Sequence, residues 1–156
     1  MTAQTHELVL ERVVPVSRAA LYRAWTTPEL LKEFFAPKPW SVAMVDIDPK
    51  PGGRCNLTMR SPEGEDMPNA GVYLELVPDT RIVFTDAYTE GWVPTANPFF
   101  TAIIELADED GGARYTARAR HWRAEDMARH EAMGFQEGWA TVLDQLVDMI
   151  RQRGLS

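Results

Sequence analysis

Polar and apolar residues alternate from His6 to Val14, where Leu8, Leu10, Arg12 and Val14 stand against Val9, Glu11 and Val13. Pro15 ends this first predicted strand. Ser17 then occupies a helix N-cap position, and Leu21, Tyr22 and Trp25 recur at helical spacing until Thr26-Thr27-Pro28 interrupts them. Pro28 suits the first turn of a second short helix capped by Thr27, with Leu30, Leu31, Phe34 and Phe35 on its buried side.

Beyond Ala36 to Pro39 the period changes to that of strands. Runs at 40–48, 54–60, 71–77, 81–88, 99–107 and 114–122 are separated by turn signals such as Pro49-Lys50-Pro51-Gly52-Gly53 and Asp108-Glu109-Asp110-Gly111-Gly112. Connections this short join antiparallel neighbours. After Trp122 a helical period returns, and Met127, Glu131, Gly134, Phe135, Gly138, Trp139, Val142, Leu143, Leu146, Val147 and Ile150 fall largely on one face of a single long helix.

These elements predict an α+β fold of the helix-grip type. A curved antiparallel sheet of about six or seven strands follows, with two short helices after the first strand and a long C-terminal helix across the concave face. In the last strand Tyr115, Ala117, Ala119 and His121 point inward and Arg114, Thr116, Arg118 and Arg120 outward. Two alanines there, facing a helix with Gly134 and Gly138, either admit close helix packing or leave room for a ligand. Large soft residues, among them Trp25, Phe34, Met44, Trp92 and Trp122, are read as inward.

Composition narrows the functional classes. The 156 residues suit one domain, 1–156, and no apolar run is long enough to span a bilayer. Met1 to Glu7 lack the basic start and apolar run of a signal peptide, and Cys55 is the lone cysteine, so a cytoplasmic protein without a disulfide is expected. A net charge of -7 with dispersed acids disfavours nucleic acid as a partner. Arg114, Arg118, Arg120 and Arg123 form a local basic cluster, read as a solvated sheet face with an anionic partner as the alternative.

No nucleophile elbow, phosphate loop, dinucleotide fingerprint or metal-ligand spacing is present, and His6, His121 and His130 lie in different elements, so neither metal nor cofactor is expected. The catalytic candidates are His121, inward on the last strand, with Tyr88 or Asp86 across a pocket as acid–base partners.

Glu11-Arg12, Ala24-Trp25-Thr26-Thr27-Pro28-Glu29-Leu30, Asp48-Pro49-Lys50-Pro51-Gly52-Gly53-Arg54, Gly71 to Leu76, Arg81 to Thr85 and Glu137-Gly138-Trp139 occur in an order that resembles the family of activators of heat-shock-protein-90 ATPase homologues, of the START-like, Bet v 1-like (SRPBCC) superfamily. The resemblance covers nearly the whole chain. It implies a helix-grip fold with an apolar cavity, in a superfamily that binds lipids, hormones and polyketide-like compounds and includes some cyclases and resistance proteins. The resemblance supplies no catalytic set.

The leading expectation is a binding protein for a small apolar or aromatic molecule, touched by Trp40, Met59, Phe84, Phe100, Ala117, Ala119, Phe135 and Trp139. The Trp92 loop and Asn97-Pro98-Phe99-Phe100 are expected to set ligand choice. An enzyme on the same fold, a cyclase or hydrolase using His121, is the second reading. A homodimeric or chaperone-linked interaction module is the third.

Overall fold

Residues 6–155 are described in a computed structural model, so the leader reading of Met1 to Thr5 lies outside the described residues. In chain order the elements are β1 (His6–Val14), α1 (Arg18–Thr26), α2 (Pro28–Phe34), β2 (Ser41–Ile47), β3 (Cys55–Arg60), β4 (Asp66–Asn69), β5 (Val72–Val77), β6 (Arg81–Thr85), β7 (Tyr88–Thr89), β8 (Val93–Pro94), β9 (Phe100–Glu109), β10 (Gly112–His121), α3 (Ala124–Ala132) and α4 (Phe135–Arg153). The predicted strands recur within two residues at most ends, except that the 81–88 run stops at Thr85. Three short strands are additional. Of these β4 carries Pro68, which an outer strand tolerates because its missing N–H removes no interior ladder bond.

Ser17 caps α1 as its position suggests, its Oγ accepting from the Ala20 amide at 3.1 Å. Pro28 opens α2, but the Thr27 hydroxyl turns back to donate to the Arg23 carbonyl at 2.6 Å, so Thr27 offers α2 no side-chain cap.

All strand pairs are antiparallel. The main sheet runs β1-β10-β9-β6-β5, and β2-β3-β4 form a second sheet that meets it at one corner. There the Gly52 amide donates to the Tyr73 carbonyl at 2.8 Å, the Tyr73 amide to the Gly53 carbonyl at 2.9 Å, and the Cys55 amide to the Gly71 carbonyl at 2.9 Å. A Cβ on Gly53 would lie 1.9 Å from the Asp48 carbonyl oxygen, so this corner requires glycine. Together the two sheets make the curved antiparallel wall of a helix-grip fold.

In β10 Tyr115, Ala117, Ala119 and His121 are buried as read, but Thr116, read as outward, is buried as well, its hydroxyl donating to Glu11 at 3.2 Å. Against the inner face α4 buries Phe135, Val142, Leu143, Leu146, Met149 and Ile150. Met44, Trp92 and Trp122, read as inward, are instead 45%, 54% and 49% exposed. A register shift between Val42 and Met44 breaks the alternation of β2, and Trp92 sits at φ 61° in the β7–β8 hairpin.

On the outer face each arginine of the basic cluster has a carboxylate. Arg118 joins Glu7 at 2.8 Å and Glu105 at 2.9 Å, Arg120 joins Glu7 at 2.7 Å, Arg114 lies beside Glu109 and Glu11, and Arg123 reaches Asp126 at 3.4 Å. Burial acts to raise the Glu7 and Glu105 carboxyls, but their arginines outweigh it and hold both below the usual range. The cluster is a paired sheet face.

The one long helix predicted to start near Met127 is two. Gly134 adopts φ 94° between α3 and α4, a left-handed conformation that a side chain disfavours. Gly138 lies inside α4, and a Cβ built there meets nothing within 4 Å. The expected outcome is that Gly134→Ala lowers stability by about 1–2 kcal/mol. Gly138→Ala leaves it unchanged or raises it by up to about 1 kcal/mol, through helix propensity. Urea denaturation midpoints check both.

Candidate functional site

The helices do not sit centrally over the wall. α4 meets β1, where Gln136 Nε2 donates to the Val9 carbonyl at 2.9 Å, while α1 lies over β9 and β10 and α3 over β1 and β10. Ala102, Ala117 and Ala119 are completely buried in this arrangement. The side under β3 and β4 is left open.

A cleft of about 440 Å³ occupies that side. Trp25, Phe35, Met59, Phe100, Phe135 and Trp139 make its apolar walls, Gly138 faces it, and Met67 and Met133, 48% and 69% exposed, stand on its rim. A hollow of about 110 Å³ adjoins it, sharing Phe35, Met59 and Phe100 and adding Phe84 and Asp86. Its buried Cys55 thiol is pushed up to about 12 by burial, which leaves it unreactive at neutral pH. Another hollow of about 390 Å³ lies on the outer face among Glu75, Arg81, Glu105 and Arg114, whose charges pair with one another or with neighbours.

Remote hydrogen bonds position these walls. Gln145 on α4 donates through Nε2 to the Phe34 and Ala36 carbonyls at 3.0 and 2.9 Å and accepts from the Lys38 amide at 2.9 Å, fixing the segment that carries Phe35 and Pro37. Asp86 accepts from the Phe99 amide at 2.9 Å and the Phe100 amide at 3.3 Å, fixing the start of β9. Burial raises the Asp86 carboxyl above its ordinary value despite those two donors. Trp139 stacks near Phe135, ring centroids 5.4 Å apart, and Phe100 meets it edge-on at 6.3 Å.

Of the residues predicted to touch a ligand, Met59, Phe100, Phe135 and Trp139 line the cleft, and Phe84 lines the adjoining hollow. Trp40, Ala117 and Ala119 line neither. Ala117 and Ala119 lie buried beneath α1 and α3, while Gly134 and Gly138 both line the cleft. Phe99 and Phe100 reach the cleft, whereas the Trp92 ring covers Gly52 and packs on Tyr88 away from it.

The catalytic candidates are not brought together. Tyr88 is exposed on the β7–β8 hairpin, and Asp86 serves the Phe99 and Phe100 amides. His121 instead pairs with His130 of α3, Nε2 to Nδ1 at 2.9 Å, while its own Nδ1 lies 3.0 Å from the His6 carbonyl. His130 lines the cleft, held among Phe99, Phe100 and Phe135 at ring separations of 5.1, 5.0 and 5.2 Å. The sequence places these histidines in different elements. Their nine-residue spacing across a strand-to-helix turn was the available signal. Among the described residues no group of three or more His, Cys, Asp or Glu is placed to hold a metal ion, and no helix is long and apolar enough to cross a membrane.

Comparison with known proteins adds a family and a set of shapes. The family described as Activator of Hsp90 ATPase homolog 1-like protein matches residues 15–151. Among curated proteins none matches this sequence. A solved protein from Nitrosomonas europaea is 39% identical, covers 96% of this chain and 97% of its own, and superposes with a TM-score of 0.92. One from Mycobacterium smegmatis, at 20% identity, covers 95% of this chain and 96% of its own with a TM-score of 0.78. One from Rhodobacter sphaeroides, at 17%, covers 94% and 93% with 0.81; these two share the fold.

The aromatic enclosure, and then the neighbouring His121, push the His130 imidazole down from 6.5 to about 4. The unfolded chain therefore takes up this proton at higher pH than the folded one. The stability tied to neutral His130 is complete above about pH 6.5 and is lost as pH falls towards 4. Urea midpoints should fall more steeply across that window in the native chain than in His130→Phe. Equal slopes would contradict the assignment.

Proposed function

The chain belongs to the Activator of Hsp90 ATPase homolog 1-like protein family, and within that fold we propose that it binds a small apolar or aromatic molecule in the cleft between β3–β4, the start of β9 and the α3–α4 junction. The observation that carries this reading is the cleft itself. Its volume of about 440 Å³ falls within the range of small-molecule sites, and its walls are aromatic and methionine side chains with few polar groups among them. Aromatic rings offer rigid apolar area and the rim methionines an adaptable edge, which suits a flat apolar guest.

Containment without turnover accounts for these residues more simply than catalysis. Tyr88 and Asp86 are committed elsewhere, and His130 stands between His121 and the cleft. The chaperone role in the family description concerns contacts with another protein, and a guest in the cleft requires none.

Titration with the neutral dye N-phenyl-1-naphthylamine tests the reading. The expected result is saturable binding at one site. Gly138→Phe, which projects a ring into space where a Cβ meets nothing within 4 Å, should weaken binding at least tenfold while keeping the urea midpoint. Failure of the native protein to bind, or undiminished binding by a folded Gly138→Phe, would count against the cleft as the site.

A further inference from the structure

The cleft contains one polar feature whose direction can be worked out from its partners. The His6 carbonyl oxygen can only accept, so His121 must donate to it through Nδ1–H. In the uncharged pair His121 Nε2 is then a lone pair, and His130 must donate to it through Nδ1–H across the 2.9 Å contact. That leaves His130 Nε2 without a proton. This nitrogen has no hydrogen-bond partner among the described residues, yet it is not among their fully buried unpartnered atoms, so it reaches open space. The open space His130 lines is the cleft.

We propose that His130 Nε2 is the recognition point of the cleft and accepts a hydrogen bond from a ligand hydroxyl, so that the guest is an aromatic compound bearing a phenol-type O–H. The proposal rests on the binding reading above and deepens it. The surrounding rings select flat apolar bodies: Phe99 and Phe100 flank the imidazole, and Phe135 and Trp139 continue the wall. A backbone carbonyl fixes the relay, so its polarity does not depend on a mobile side chain. Arg129 and Asn69 also line the cleft, but Arg129 lies over the Phe99 ring at 4.9 Å and 3.4 Å from Asp126, and Asn69 donates to the Met67 carbonyl at 3.2 Å. Among the described residues Asn69 Oδ1 and His130 Nε2 are both acceptors without a partner, but Asn69 is exposed on β4 and keeps its water, whereas His130 is buried, so a guest that covers His130 without donating leaves that acceptor desolvated and unpaired.

The acceptor role differs from general-base catalysis. An imidazole whose proton affinity is depressed by its aromatic enclosure takes a hydrogen bond without removing the proton, and no bond of the guest is made or broken.

Two measurements at pH 8 test the proposal. Long-range nitrogen-15 NMR of histidine-labelled protein should show Nδ1–H imidazoles at both His121 and His130; an Nε2–H at His130 overturns the proposal whatever binds. Calorimetric titration then compares 2-naphthol with 2-methoxynaphthalene, which has a similar body but no donor. The native protein should favour the naphthol about tenfold, and His130→Phe should bring the ratio near one. Equal binding of both by the native protein overturns the hydroxyl assignment and leaves the binding reading standing. Absence of binding by either removes both.

Discussion

The seating of α1 over β9 and β10, and of α3 over β1 and β10, governs where everything else can go. Ala102, Ala117 and Ala119 have no side chain beyond Cβ, so backbone can approach this part of the wall closely, and all three are completely buried. Close approach there increases dispersion contact. α4 lies against β1, where Gln136 ties it down. A curved wall cannot be in full contact with helices drawn to one side. Space therefore remains over β3 and β4, and that space is the cleft.

The same consideration separates what was legible in the sequence from what was not. The inward set of β10, the Ser17 cap and the Gly52-Gly53 corner are local patterns, and each recurs in the fold. Ala117 and Ala119 are inward as the alternation predicts, but their smallness signals proximity of a helix as readily as a void, and only the placement of α1 and α3 over β10 decides between the two. The pair Gly134 and Gly138 looked equivalent at helical spacing. Backbone conformation distinguishes them: Gly134 stands between α3 and α4 with a positive φ, Gly138 lies inside α4, and both line the cleft. Met59, Phe100, Phe135 and Trp139 line the cleft, as aromatic and methionine side chains near strand and helix ends reach the edge of a core. Trp40, by similar reasoning, was placed with them and lies outside.

The outer face follows a different logic. Glu75, Arg81, Glu105, Arg118 and Glu7 alternate in sign across β5, β6, β9, β10 and β1, so each charge is flanked by its opposite. Such partly exposed pairs contribute little stability each. Their consequence is that a strongly acidic chain presents no unpaired cationic surface from this cluster. The basic residues that stood out in sequence are thus consumed locally, and the remaining polar distinction of the fold lies on its inner side, at His130.

An apolar cleft by itself discriminates weakly, because a methylene more or less in a hydrophobic pocket changes binding by only about 1–3 kcal/mol. A single oriented polar atom changes that balance: a guest that satisfies it gains a hydrogen bond, and one that merely covers it leaves a desolvated acceptor. The His6–His121–His130 chain provides such an atom while keeping its proton inventory within the fold. Were His130 a strong base, a hydroxylated guest would risk ionisation and the charge would be buried among phenyl rings. With its proton affinity depressed to about 4, recognition and reaction are separated by the same aromatic enclosure that forms the cleft wall.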